Sequence, residues 1–198
     1  MIAQPLTIES FSPYGSIISP DEEVKKSIES LSNTNEGKAI KVLQVSQIQN
    51  PLGQDTPHWQ FSHLFPEPHL RRHLCLGKRG AVVKHSVPIL EKHPYTSQTF
   101  LPIGAPRQDI AYLSVVALED AQTKKPDLST AKAFLCKGNQ VVTYGAGVWH
   151  TPMTVAGPNE YVDFAVLNYE LLDPGAPEKD LVQNFYSDSE LVVSLYAN

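Results

Sequence analysis

Apolar residues along this chain fall into short runs rich in β-branched side chains, divided by turn material. Ala39–Val45, Ala81–Lys84, Ile110–Ala117, Gly138–Tyr144, Val162–Tyr169 and Leu191–Tyr196 each read as a strand. Pro51-Leu52-Gly53, Gly104-Ala105-Pro106 and Gly157-Pro158-Asn159 supply the breaks between them. Short strands punctuated in this way predict an all-β antiparallel sandwich or barrel. Helical signals are few: a turn after Thr7, a segment from Asp21 to Leu31, and one from Ser129 to Ala133 that Pro126-Asp127 could introduce. Residues 46–72 show no clear period and read as a long loop or hairpin region.

At 198 residues, the chain reads as one domain spanning 1–198 with a sizeable core. Its formal net charge of −5, with no dense basic face, argues against nucleic acid as a partner. The opening Met1-Ile2-Ala3-Gln4-Pro5 has neither the basic nor the apolar part of a secretory leader, and no apolar run is long enough to suggest a membrane span. Two cysteines, Cys75 and Cys136, cannot build a disulfide framework or a thiolate zinc site. A soluble, reduced, cytoplasmic protein is expected.

Functional groups are densest in Leu90-Glu91-Lys92-His93-Pro94-Tyr95-Thr96-Ser97-Gln98. On a strand, Glu91 and His93 share a face, and Pro94 stops the ladder so that the chain turns before Gln98. The spacing Glu-x-His-x4-Gln is similar to the first cupin motif, with Gly104 following, although two of its three ligand positions are altered. About fifty residues on, Gly145-Ala146-Gly147-Val148-Trp149-His150 matches the Gly-x-x-His core of the second, and Gly147 would allow a tight turn just before the His. Taken singly, His150 reads as a hydrogen-bonded strand residue and Glu91 as a solvated charge. Together at cupin spacing they read as a functional pair, because an interior carboxylate and imidazole need partners or a ligand. His58, His63, His69 and His73 read as surface or subunit-contact residues, and Cys75 and Cys136 as structural thiols. Lys84 and His85 face opposite sides of one strand, so one of them points inward.

The wording of these segments resembles a known family. Leu90-Glu91-Lys92-His93-Pro94 with Ser97-Gln98-x-Phe100-x-Pro102 is similar to the signature of the ureidoglycolate lyase family of allantoin degradation. Lys125-Pro126-Asp127-Leu128-Ser129-Thr130, Ala133-Phe134, Gly138-x-Gln140-x-Val142 and Tyr144…Val148-Trp149-His150-x-Pro152 follow that family in order and spacing. Phe11-Ser12-x-Tyr14-Gly15 resembles its N-terminal segment. The likeness runs from residue 11 to about 169 and is weakest between 46 and 75. One departure is Thr151, where bacterial members place a second His after the first.

The resemblance implies a cupin-like antiparallel β-barrel with a few short accessory helices, a homodimer, and cleavage of (S)-ureidoglycolate to glyoxylate and urea. That elimination needs a hydroxyl proton removed and a ureide nitrogen protonated. Glu91, His93 and His150 are the titratable groups available for catalysis, with Gln98, Tyr144 and Lys84 as substrate-binding residues. Glu91, His93, Gln98 and His150 also form an oxygen and nitrogen set that could hold one divalent metal, Ni²⁺, Mn²⁺ or Zn²⁺, and the residues are equally compatible with metal-free acid–base chemistry. Without the resemblance, the same residues would also suit a non-catalytic cupin that binds a sugar or small organic acid. An amidohydrolase releasing ammonia from the same substrate would need a larger chain with more ligands.

Overall fold

A computed structural model describes residues 1–27, 38–51, 57–78 and 80–197. In chain order the elements begin with β1 (Ala3–Pro5), α1 (Ile8–Phe11), β2 (Gly15–Ile18), α2 (Pro20–Ser27), β3 (His58–Leu64), α3 (Pro68–Leu76) and β4 (Val82–Ser86). Then come β5 (Ile89–Lys92), β6 (Gln98–Ile103), β7 (Ile110–Glu119), β8 (Pro126–Lys137), β9 (Val141–Tyr144) and β10 (Trp149–His150). The last are β11 (Thr154–Val155), β12 (Val162–Asn168), β13 (Val182–Phe185) and β14 (Val192–Tyr196). The molecule is therefore all-β with short accessory helices, as expected.

One sheet runs β1-β8-β7-β10-β5-β13, with β11 also on β7, and a second runs β2-β9-β6-β12-β3. They face each other without closing into a barrel. Pairing is antiparallel throughout these sheets except where β1 lies parallel to β8. Between the sheets lie Phe11, Tyr14, Phe100, Tyr112, Phe134, Tyr144 and Phe164, buried and in ring contact with one another. The opposite face of β7, through Leu113, Val115 and Ala117, packs with Leu70 of α3 and with Val193 and Leu195 of β14. β7 is thus buried on both sides, the reason its sequence is an apolar run rather than an alternation.

Several sequence expectations are corrected. Residues 40–45 form no strand: Ile40 and Leu43 are exposed, and Gln44 takes a left-handed φ of 58° that breaks an extended run. Ser129–Ala133 is not helical but lies within β8, whose partner is β7. The Pro126-Asp127 signal belongs there to a local turn, in which Asp127 accepts from Ser129 N–H at 2.9 Å, and the register against β7 jumps from Lys132 to Asp127 across Val116 to Leu118. Residues 46–72, expected as a long loop or hairpin region, carry β3 and the first part of α3. The helix after Thr7 forms with Thr7 as its cap, while of the helix expected over 21–31 the part beyond Ser27 lies outside the described residues. So do Leu52 and Gly53 of one expected turn.

Candidate active site

The site is assembled where β5 and β10 of one sheet face β6 and β9 of the other. His150 is the direct antiparallel partner of Glu91, so their side chains project to the same face. Gln98 opens β6 and pairs with Tyr144 at the end of β9. After His93, Pro94 ends the strand and the chain crosses from one sheet to the other before Gln98, which spreads the Glu-x-His-x4-Gln segment over both walls. Gly147, at φ 76°, makes the turn into β10, and its N–H donates to the His93 carbonyl at 2.8 Å.

His150 is buried, only 1% exposed, and links the two sheets, its Nε2 lying 3.2 Å from Oε1 of Gln98. Its Nδ1 lies 3.0 Å from the Val148 carbonyl, which can only accept, so Nδ1 carries the proton and Nε2 the lone pair of a neutral ring. A half-turn of the Gln98 amide would place its N–H on that lone pair. Burial, reinforced by the neighbouring His93, pushes the His150 pKa down to about 3, so the ring is neutral at neutral pH. Tyr144 stacks on it at 4.0 Å between ring centroids, and His93 stacks at 5.9 Å on a parallel plane. Burial also lowers the His93 pKa, against the opposing pull of the Glu170 carboxylate, and its Nε2 is buried without a hydrogen-bond partner among the described residues.

Glu91 lies between His150 on β10 and Gln183 on β13, whose amide donates to it at 3.4 Å. Burial raises its pKa, only partly offset by that hydrogen bond, so it is the carboxylate of the cluster best suited to take up a proton.

Two expected ligands take other roles. The Tyr144 hydroxyl is 2.8 Å from Ser114 Oγ, deep between the sheets, so what Tyr144 presents to the site is its ring. Lys84 is exposed on β4, paired across from Ser194 of β14 in a separate two-stranded sheet, and is not brought to the site; His85 is the inward residue of that strand. The β5 lysine, Lys92, faces away from Glu91, over the Trp149 ring at 4.7 Å and in an ion pair with Glu119. Thr151, at the departure from the family wording, turns its hydroxyl to the Val115 N–H at 3.2 Å, on the side of β10 opposite His150. As for a metal, no three His, Cys, Asp or Glu side chains converge to hold an ion among the described residues.

Sequence reasoning missed part of the wall. His58 and Gln60 of β3 pair with Asn168 and Val166 of β12 and so share the inward parity, His58 half-buried and Gln60 exposed at the sheet edge. Glu170 meets both, 3.0 Å from His58 Nε2 and accepting from Gln60 Nε2 at 2.8 Å. Asn168 was legible in principle: Val162, Phe164 and Val166 are the inward positions of the recognised strand, and Asn168 continues their parity.

The ureidoglycolate lyase family matches this chain over residues 1–194. A ureidoglycolate lyase of Saccharomyces cerevisiae is 50% identical, over 98% of this chain and 97% of that protein. One from Schizosaccharomyces pombe is 34% identical over 98% and 95% of the two chains, and a putative ureidoglycolate lyase of Agrobacterium fabrum is 31% identical over 79% and 76%.

Proposed function

Because the chain belongs to the ureidoglycolate lyase family, we propose that its paired sheets cleave (S)-ureidoglycolate to glyoxylate and urea, with Glu91 as the acid–base group. The enzyme is a carbon–nitrogen lyase. The observation that carries the site assignment is the meeting of Glu91, His93, Gln98 and His150 from two facing sheets around one carboxylate of raised pKa.

The reacting carbon bears both the hydroxyl that loses a proton and the nitrogen that gains one. A single carboxylate can therefore accept the hydroxyl proton and return that same proton to the nitrogen as the C–N bond breaks and the C=O forms, with no water consumed. Glu91, whose burial strengthens it as a base, suits that task. His150, neutral with its tautomer held by Val148, accepts a hydrogen bond and orients Gln98 rather than donating a proton. No step is routed through a metal, and we propose that none is required.

A homodimer and a cytoplasmic location belong to the same proposal. The outer face of β3, β12 and β6 exposes Trp59 (61%), Phe61 (67%), Leu101 and Ile103, an apolar strip with β3 as the sheet's edge among the described residues, and a second copy is the occupant we infer. The C-terminal strand β14 is a poorer candidate, since β4 pairs with one side and Ile2 bridges to the other. Cys75 and Cys136 are free thiols, in keeping with a reducing compartment, and no described helix is long and apolar enough to cross a membrane.

The deciding experiment incubates purified protein with (S)-ureidoglycolate and follows urea, glyoxylate and ammonia separately. Urea and glyoxylate in equal amounts are expected. Ammonia in place of urea would replace the lyase reading with hydrolysis.

A further inference from the structure

Asn168 ends β12 at 2% exposure, and both polar atoms of its side chain, Nδ2 and Oδ1, are buried without a hydrogen-bond partner among the described residues. Leaving a primary amide dry on both ends costs stability unless a ligand supplies the bonds. Its position is inside the site: Leu167 pairs with Thr99, which carries Asn168 alongside Gln98, and on the other side Asn168 pairs with His58. His58, Asn168, Gln98 and Tyr144 thus form a row across four adjacent strands, facing Glu91 and His150.

We propose that Asn168 is the specificity-determining residue that reads the ureido end of the substrate, its Nδ2 donating to the ureido carbonyl and its Oδ1 accepting from the terminal NH₂. This rests on ureidoglycolate being the substrate. Two features favour the ureido group over the carboxylate. A carboxylate offers only acceptors and would leave Oδ1 facing another oxygen, whereas a ureido group offers an acceptor and a donor side by side, the complement of a primary amide. The flank near Asn168 is also acidic: Glu170 and Asp180 both act electrostatically on the His93 ring, and Glu170 bonds His58, the cross-strand partner of Asn168. A substrate carboxylate is disfavoured there, and a neutral ureido group is not.

The test compares two stable ligands that differ only at the recognised group, N-carbamoylglycine and N-acetylglycine, in which a methyl replaces the terminal NH₂. Binding is measured by calorimetry, which needs no turnover, so failure of the lyase reading, seen in product release, is told apart from failure of this one. Wild-type protein should prefer the carbamoyl ligand by about tenfold, the worth of one well-made hydrogen bond in a dry site. Asn168→Leu should erase that preference and melt at a higher temperature than wild type, because an unpartnered amide leaves the interior. Asn168→Asp, close to isosteric, keeps the acceptor and loses the donor, so it should weaken both ligands yet retain the carbamoyl preference, and it serves if the Leu variant does not fold. An undiminished preference in Asn168→Leu, an equal loss for both ligands in that variant, or no preference in the wild type overturns the proposal.

Discussion

Tyr144→Phe separates the two uses a tyrosine could have at this site. In the structure its hydroxyl belongs to the interior: it meets Ser114 Oγ at 2.8 Å, and both residues are 1% exposed or less. Its ring belongs to the site, stacked on His150 at 4.0 Å with an interplanar angle of 10°. Removing the hydroxyl leaves Ser114 Oγ buried and short of a partner, a cost of about 1–3 kcal/mol. For a chain of this size each kcal/mol lowers Tm by roughly 2–4 °C, so a fall of about 2–12 °C is expected by calorimetry. The double variant Tyr144→Phe with Ser114→Ala removes both partners and should recover at least half of that loss. Turnover, measured as urea release at a temperature where all variants are folded, should stay within about threefold of wild type for Tyr144→Phe, since the ring remains. Tyr144→Leu, which removes the ring, should lose turnover. A Tyr144→Phe enzyme that melts like wild type but turns over more than tenfold more slowly would refute the reasoning, because the hydroxyl would then be working on the substrate.

Glu91→Gln should reduce turnover by roughly 10²–10⁴-fold, the usual cost of losing a positioned acid–base group. Because the fold raises the Glu91 pKa, its ionised form is disfavoured in the native state: stability is fuller below its unfolded value of 4.5 and is lost as pH rises through the folded value, so Glu91→Gln should melt higher than wild type at neutral pH. The kcat/KM profile should show an acid limb above that ordinary carboxylate value, set by Glu91 and without one from His150, which stays neutral down to about 3. Extensive dialysis against a chelator should leave activity unchanged in protein shown to be metal-free by elemental analysis; loss restored by a divalent ion would bring the metal route back. Phe61→Asp should shift the protein from dimer to monomer in sedimentation velocity, and an unaltered dimer would move the interface elsewhere.

What was legible in the sequence followed burial periodicity and local turn chemistry. Val162–Tyr169 and Leu191–Tyr196 contain the strands they announced, and Ile110–Ala117 lies within the longer β7, because each buries at least one face. The Glu91 to Gln98 segment and His150 were singled out by their likeness to cupin and family motifs, and the fold brings them together because Pro94 and Gly147 make those two turns. Ala39–Val45 misled because alternation of Ile, Val and Leu was read without knowing whether a sheet edge lay beside it, and β3 was obscured by polar residues on its inward face. His58 and Gln60 occupy inward positions there, where a site rather than a core is being lined. Polar residues at inward positions weaken the pattern that identifies a strand, so the walls of a site are harder to read than its supporting core.

The same parity explains why the cluster has the chemistry it has. On β5, Leu90 and Lys92 turn to the outer cluster while Glu91 and His93 turn inward; on β10, Trp149 turns outward and His150 inward. A shift of one residue in β5 would bring the Lys92 ammonium into the chamber and expel the carboxylate, and one in β10 would expel His150. Even a cation admitted beside Glu91, without expelling it, would hold its pKa down and weaken it as a base. Held instead over Trp149 and paired with Glu119, Lys92 contributes its charge to the outside of the sheet. The chamber wall keeps a carboxylate of raised pKa beside two imidazoles of lowered pKa, and that proton affinity follows from which side of the strand each residue occupies.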